Sequence, residues 1–335
     1  MSADGASPPA SEANDGPEHA SIPTTAMPAH VAVPTTAVPA HSGIATTAVP
    51  AHTHDATTMA PALAGAVPPA APRSRQASYD AGETIEAGPH RLVIERLLFV
   101  GGQAELYLVR GGPAPVTVLK LYTHGARPKA DVLDRWRLLP PTAVIGLLDA
   151  DPHAEPRAWE LLTYAEGGTL AGAPDAPPGP MHDAARLRLI TVQAAEALHV
   201  LHTVGSAVHR DVSPDNFLWL DTAHTRLVLS DLGSSSIMSD GAARSVTIRG
   251  KLPFMAPEEL LPMGEGVVVS EAADFYALGI MVLTLWAGRH PFVGRQADQI
   301  ALKSRGAVPM PDDLPPDFRS LVEALLLPAN IRLDR

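Results

Sequence analysis

The spacing of apolar residues changes character along the chain. Between residues 92 and 119 four short runs have strand length and strand composition: Leu92-Val93-Ile94, Leu97-Leu98-Phe99-Val100, Leu106-Tyr107-Leu108-Val109 and Val116-Thr117-Val118-Leu119. Gly101-Gly102 and Gly111-Gly112-Pro113 separate them as turns, which predicts an antiparallel meander. Later the period is helical. Leu187, Ile190, Ala194, Leu198 and Leu201 fall on one face of a helix over Ala184–Thr203, and Ala272–Trp286 and Asp317–Leu327 read as further helices. Strands first and helices afterwards predict an α+β fold in two lobes, a small antiparallel β lobe joined to a larger helical lobe.

The first 85 residues follow neither period. They are built from Ala, Pro, Thr, Ser and His, with an 11-residue repeat visible at Thr24–His30, Thr35–His41 and Thr46–His52 and a degraded copy from Thr57. Each full copy carries a proline, which interrupts a helix, and there is almost no aromatic content from which to build a core. The expectation is a disordered tail over 1–85 acting as a flexible linker. A phosphorylation platform on the Thr pairs, or weak metal binding by His30, His41 and His52, is the sharper alternative. The folded domain is then expected over 86–335.

Composition narrows the function classes. The net charge of −11 argues against nucleic acid as the main partner, since a phosphate backbone calls for a basic face. The absence of cysteine rules out disulfides, thiol catalysis and zinc–thiolate sites, and permits a reducing compartment. The N-terminus lacks a charged stretch leading into an apolar run, and the longest apolar stretch, Phe275 to Gly288, is too short to span a bilayer. These features predict a cytoplasmic protein without a membrane span, and they leave its oligomeric state open. Only Lys120, Lys129, Lys251 and Lys303 are lysines, and the Ala-, Arg- and Pro-rich composition looks like that of a high-GC bacterial gene.

Three motifs carry the chemistry. The segment Val208-His209-Arg210-Asp211-Val212-Ser213-Pro214-Asp215-Asn216 is followed by Asp231-Leu232-Gly233, behind the apolar run Leu227-Val228-Leu229, and then by Ala256-Pro257-Glu258. Each alone is weak, because a carboxylate near an Asn is commonly a turn or a cap. In this order they resemble the catalytic loop, the metal-binding triplet and the end of the activation segment of the protein kinase family. The resemblance covers about residues 90–335, with a small lobe over 86–163 and a large lobe over 164–335. It implies ATP-dependent phosphoryl transfer to a protein hydroxyl, with Mg²⁺ (or Mn²⁺) as the metal. Such transfer asks mainly for positioning and charge neutralisation. Asp211 is then the residue that accepts the hydroxyl proton, Asn216 and Asp231 supply hard oxygen ligands to the metal, and Gly233 lets the backbone turn after Asp231.

The same resemblance assigns the small lobe. Lys120 closes the strand Val116–Lys120 and is expected to grip the ATP phosphates, with Asp134 as its acidic partner from a short helix and Asp131 as the second choice. Of the family's three phosphate-loop glycines only Gly101 is retained, with Gly102 beside it; Phe99 and Ala104 occupy the other two places. Trp159–Gly168 resembles the hinge, so Leu162 would stand behind the adenine and backbone groups of Thr163 to Ala165 would hydrogen-bond its edge.

In the large lobe, Asp274 matches the aspartate that braces the catalytic loop around His209 and Arg210. Glu258 is expected to pair with Arg332. Arg210 is expected to receive a phosphate on Thr247 or Ser245, with Ser234, Ser235 and Ser236 as further acceptors. Ser213 stands where Ser/Thr kinases of the family carry a lysine that touches the transferred phosphate, and Lys251 stands where the activation segment usually has Thr. These two departures leave the choice between Ser/Thr and Tyr acceptors open, although Met255-Ala256-Pro257-Glu258 resembles the Ser/Thr branch. By the same comparison the family's last helix is expected either to be missing or to lie beyond Arg335. An active Ser/Thr kinase that also phosphorylates itself is the leading expectation. A pseudokinase scaffold and a small-molecule kinase are the alternatives, the second disfavoured by the Ala-Pro-Glu ending.

Overall fold

The structure is a computed structural model that describes residues 77–172, 179–239, 241–245, 250–260 and 267–332. The repeats of the N-terminal region therefore lie outside the described residues, as does Thr247.

Strands β1 (Thr84–Ala87), β2 (His90–Val100), β3 (Ala104–Arg110), β4 (Thr117–Tyr122), β5 (Leu147–Asp151) and β6 (Trp159–Thr163) form one antiparallel sheet in the order β1-β2-β3-β4-β6-β5. Alternation gives this sheet two apolar faces. Leu92, Ile94, Tyr107, Val109, Leu119, Leu121, Trp159 and Leu161 pack on one side. Leu106, Leu108, Val118 and Leu162 point to the other, where they join the core of the helical lobe. Lys120 and Glu160 are direct partners across β4 and β6 and share this second face with Val118 and Leu162.

The fold begins earlier than residue 86. Strand β1 starts at Thr84, and the amides of Ser78 and Tyr79 donate to the Tyr107 hydroxyl at 3.0 and 3.2 Å. The Ser78 hydroxyl donates to Glu105 at 2.8 Å, and Arg157 bonds both Ser78 and Glu105. The boundary at 85/86 is corrected accordingly. It followed the change in composition, whereas the buried Glu105–Arg157–Tyr107 cluster extends the fold back to residue 78.

Between β4 and β5 lies the short helix α1 (Ala130–Trp136), which buries Val132, Leu133 and Trp136. After β6 the chain crosses to the large lobe, where β7 (Gly168–Thr169) pairs with β9 (Phe217–Trp219). Helix α2 (Ala184–Thr203) starts at Asp183, whose carboxylate accepts the Arg186 amide at 3.0 Å. Two short strand pairs follow it: β8 (Ala207–Val208) with β11 (Ser236–Ile237), and β9 with β10 (Leu227–Leu229). Strand β12 (Ala243–Ser245) pairs with β13 (Val267–Val269), and α3 (Pro257–Leu260) lies between them in sequence. Helix α4 (Glu271–Ala287) is buried on nearly every side and forms the centre of the lobe, against α2 and α6 (Pro316–Leu325). Helices α5 (Gln296–Ser304) and α7 (Ala329–Arg332) complete it. Among the described residues no helix is long and apolar enough to cross a membrane.

Candidate active site

The loop after β8 is held from below by a buried carboxylate. Asp274 of α4 accepts the amides of His209 and Arg210 at 2.7 and 2.8 Å and is also bonded by His202 Nε2 at 2.8 Å. Burial pushes its carboxyl up, but the His202 contact and these amides outweigh burial and hold it below the usual range. The two amide bonds fix Arg210 in a left-handed conformation, φ +68°, that a non-glycine residue rarely adopts. The His209 ring reaches the other way, donating from Nε2 to the carbonyl of Ser230 at 2.9 Å. The loop is thus tied to the residue just before Asp231.

Asp211 and Asn216 face each other across this loop. Asn216 Nδ2 donates to the Asp211 carbonyl at 2.7 Å and to its carboxylate Oδ2 at 2.9 Å, which also fixes the orientation of the amide. Burial pushes the Asp211 carboxyl above its ordinary value, against the pull of nearby Lys251. Asn216 Oδ1 is buried without a partner, and so is Asp231 Oδ2. Two unpaired buried oxygens are costly unless something fills the gap. A divalent cation that prefers oxygen ligands fits this pair. Among the described residues no group of three or more His, Cys, Asp or Glu is placed to hold a metal ion.

The turn after Asp231 differs from expectation. The positive φ, +55°, falls on Asp231 itself and not on Gly233. Gly233 is needed for closeness: a Cβ there would lie 3.1 Å from Asp231 Oδ1, which accepts the Gly233 amide at 3.2 Å.

Lys120 is 2% exposed, and its ammonium lies 2.9 Å from Asp231 Oδ1 and 3.8 Å from Glu160 Oε2. The expected pairing with Asp134 does not occur. The Asp134 side chain is 74% exposed and bonds Arg137 at 2.9 Å on its own helix. Asp131, the second choice, is exposed and bonds the Val132 amide. The reason lies in α1: its seven residues bury Val132, Leu133 and Trp136, so both aspartates fall on the solvent side. Glu160 takes that place from the sheet, with its other oxygen accepting the Tyr122 hydroxyl at 2.8 Å. Burial pushes Glu160 up against the pull of Lys120, and Lys120, despite burial, is held above its usual value by Asp231. Sequence reasoning missed Glu160. The available signal was an acidic residue in the middle of Trp159-Glu160-Leu161-Leu162, where a strand buried on both faces should be apolar.

Gly101 and Gly102 form the tip between β2 and β3, and the Gly101 amide donates to Ala104 at 2.8 Å. A Cβ on Gly101 would meet the Phe99 ring at 3.0 Å, so Phe99 stacks against the turn. At the hinge, the Thr163 amide is already taken by the Gly146 carbonyl at 2.9 Å, which removes it as a donor to a ligand; Ala165 is buried beside it.

Further along, Arg210 Nη1 donates to Ser236 Oγ at 3.1 Å, and its Nε lies 4.0 Å from Glu259. Arg332 Nη1 donates to Glu258 at 2.8 Å and also to the Ala272 carbonyl. Lys303 of α5, which sequence reasoning gave no role, donates to the carbonyls of Leu252, Pro253 and Met255 at 2.9, 2.7 and 2.6 Å.

A family model described as protein kinase domain matches residues 150–330. The probable serine/threonine-protein kinase PkwA of Thermomonospora curvata is 30% identical over 255 residues, which is 72% of this chain and 32% of that protein. The DNA damage-responsive serine/threonine-protein kinase RqkA of Deinococcus radiodurans is 32% identical over 256 residues, 73% of this chain and 36% of that protein. The serine/threonine-protein kinase PknA of Mycobacterium tuberculosis is 33% identical over 138 residues, 40% of this chain and 30% of that protein. The chain therefore spans about a third of the length of these relatives. With the family match extending over more than half of its residues, the chain belongs to the protein kinase domain family.

Proposed function

We propose that the chain is an ATP-dependent protein kinase that phosphorylates Ser or Thr hydroxyls of proteins, itself included. The observation that carries this reading is the pair of buried, unpartnered oxygens, Asn216 Oδ1 and Asp231 Oδ2, beside the Asp211 carboxylate and the Lys120 ammonium. The relatives named as serine/threonine kinases support the choice of acceptor.

In the reaction the acceptor oxygen forms a bond to the γ-phosphorus, the bond from that phosphorus to the bridging oxygen breaks, and ADP leaves with the electron pair. Asp211 takes the hydroxyl proton, helped by a carboxyl that burial has made more basic. Asn216 and Asp231 would hold Mg²⁺ or Mn²⁺, which supplies charge neutralisation at the phosphates. Lys120 is the cation placed to grip the phosphate chain, and Glu160 keeps it in place. Leu106, Val118, Leu162 and Leu218 are buried in one apolar core that joins the two lobes beside these groups.

The test is phosphate incorporation from γ-labelled ATP with Mg²⁺ or Mn²⁺, using the chain itself and a generic basic protein as acceptors. The parent should incorporate label on Ser or Thr. Asp231→Ala and Asp211→Asn should not, with Asp211→Asn still binding nucleotide. An unlabelled parent that binds nucleotide would replace this reading with that of a pseudokinase scaffold.

A further inference from the structure

The catalytic loop has a neutral residue two positions after Asp211, and a cation reaches it from another segment. Lys251 Nζ lies 2.7 Å from Ser213 Oγ and 2.7 Å from Asp215 Oδ2. The backbone of the same residue is also docked on the loop, its amide donating to Asp211 Oδ1 at 3.1 Å. Both ends of Lys251 are therefore pinned around the carboxylate that receives the proton. Lys120, the other lysine of the cleft, is bound to Asp231.

The two departures noted in the sequence are one exchange. Where the family has a lysine on the loop and a hydroxyl on the activation segment, this chain has the hydroxyl of Ser213 on the loop and the ammonium of Lys251 on the segment, in contact with each other. Ser213 is fully buried, so its hydroxyl serves to aim the ammonium. The Lys251 side chain is 16% exposed, open enough to meet a ligand and dry enough for its charge to count.

Resting on the reading of the chain as a kinase, we infer that Lys251 is a catalytic residue, whose ammonium contacts the phosphoryl group as it passes from ADP to the acceptor oxygen. Charge in that transition state is spread over the equatorial oxygens of the phosphoryl group, and a cation beside the proton acceptor stabilises it where it develops. Delivery from the activation segment has a consequence. The cation is in place only while residues 250–255 are docked. Gly250 docks at φ +95°, where a Cβ would lie 2.1 Å from the Arg210 carbonyl, so only glycine can make the approach. Lys303 holds the next carbonyls. Catalytic competence and the docking of this segment are thus carried by the same residue.

The test exchanges the two residues back in the full chain. Lys251→Thr should lower kcat about a hundredfold, the usual loss for one preorganised transition-state contact, with the KM for ATP changed less than about threefold. Ser213→Lys alone puts two ammonium groups together and should also be slow. The double variant Ser213→Lys/Lys251→Thr restores one ammonium and one hydroxyl and should recover most of the parental kcat. A second readout is independent of turnover: Lys251→Thr should weaken binding of Mg²⁺–ADP–aluminium fluoride, which resembles the phosphoryl group in transfer, by a factor similar to its loss in kcat, while Mg²⁺–ADP binding stays parental. An active parent with an equally active Lys251→Thr overturns this inference alone. So does a double variant no faster than Lys251→Thr, or a Lys251→Thr that binds the aluminium fluoride complex as well as the parent does. A parent that transfers no phosphate overturns both this inference and the kinase reading.

Discussion

At the scale of single residues, the most informative contact is the one that holds Lys120. Its ammonium touches two carboxylates, and Asp231 is the nearer. Asp231 gives Oδ1 to Lys120 and keeps Oδ2 without a partner. In the proposed kinase a cation held by Asp231 would draw charge from the Lys120 contact, and Glu160 would then be the acid that keeps the lysine in place. Glu160→Gln keeps the shape and the bond from Tyr122 but loses the charge. It should lower kcat/KM for ATP by about tenfold to a hundredfold, the cost of a misplaced positioning group. Asp134→Asn, altering an exposed surface pair, should be parental in the same assay. The reverse pattern would mean that helix α1 holds Lys120 in the working enzyme. Asp211, Asn216 and Asp231 were legible from order and spacing because one short stretch of chain positions each of them. Glu160 was not. Its role depends on β4 lying beside β6, a pairing between residues 40 apart in sequence.

At the scale of elements, long amphipathic or apolar segments read well: α2 spans the predicted Ala184–Thr203, and α4 and α6 fall within a residue or two of expectation. Helix α5 was not foreseen, because Gln296–Ser304 mixes polar and apolar residues and buries Lys303. Its function is to anchor the segment that leads into α3. That anchor has an electrostatic partner. Glu259 of α3 is 4% exposed and accepts the Ala256 amide at 3.1 Å. Burial pushes its carboxyl up to about 8, although that amide and Arg210 pull the other way. An unfolded Glu releases its proton near 4.5, so from there to about pH 8 the folded state binds the extra proton. Stability from this group is fully present below pH 4.5, declines as pH rises, and is lost above about 8. Glu259→Gln mimics the protonated form. Its thermal midpoint should match the parent near pH 4.5, exceed it increasingly toward pH 8, and stay above it by a constant margin beyond. Lys303, lowered to about 7 by burial, acts in the opposite sense above that pH. Glu259 pulls the Lys303 value upward, so the substitution shifts Lys303 as well and the comparison is cleanest below pH 7. A parent more stable than Glu259→Gln at pH 8 would show that Glu259 is ionised and paired with Arg210.

At the scale of the whole molecule, the division into a β lobe and a helical lobe followed from periodicity, but the point where the fold begins did not. Composition put that point at residue 86, yet the decisive residues are Ser78 and Tyr79. Their amides reach the Tyr107 hydroxyl, the Tyr79 ring packs edge-on against Tyr107 at 6.1 Å, and Ser78 completes the shell of the buried Glu105. Strand β1 then pairs Thr84 with Val93 and Ile85 with Leu92. Removing residues 1–76 leaves all of these contacts in place. Removing 1–85 deletes them and strips Glu105 of one partner while it stays buried. The four hydrogen bonds of Ser78 and Tyr79 and the aromatic pair, at about 1 kcal/mol each, come to about 5 kcal/mol before the bonds of β1 to β2 are added. For a domain of this size about 1 kcal/mol moves the midpoint by about 2–4 °C, so the longer deletion should lower it by on the order of 10 °C. Thermal unfolding of the full chain and the two truncations checks this. The shorter truncation should melt with the parent, and the longer one clearly earlier. Equal midpoints for both truncations would mean that residues 77–85 lie on the sheet without stabilising it, and would return the start of the fold to residue 86.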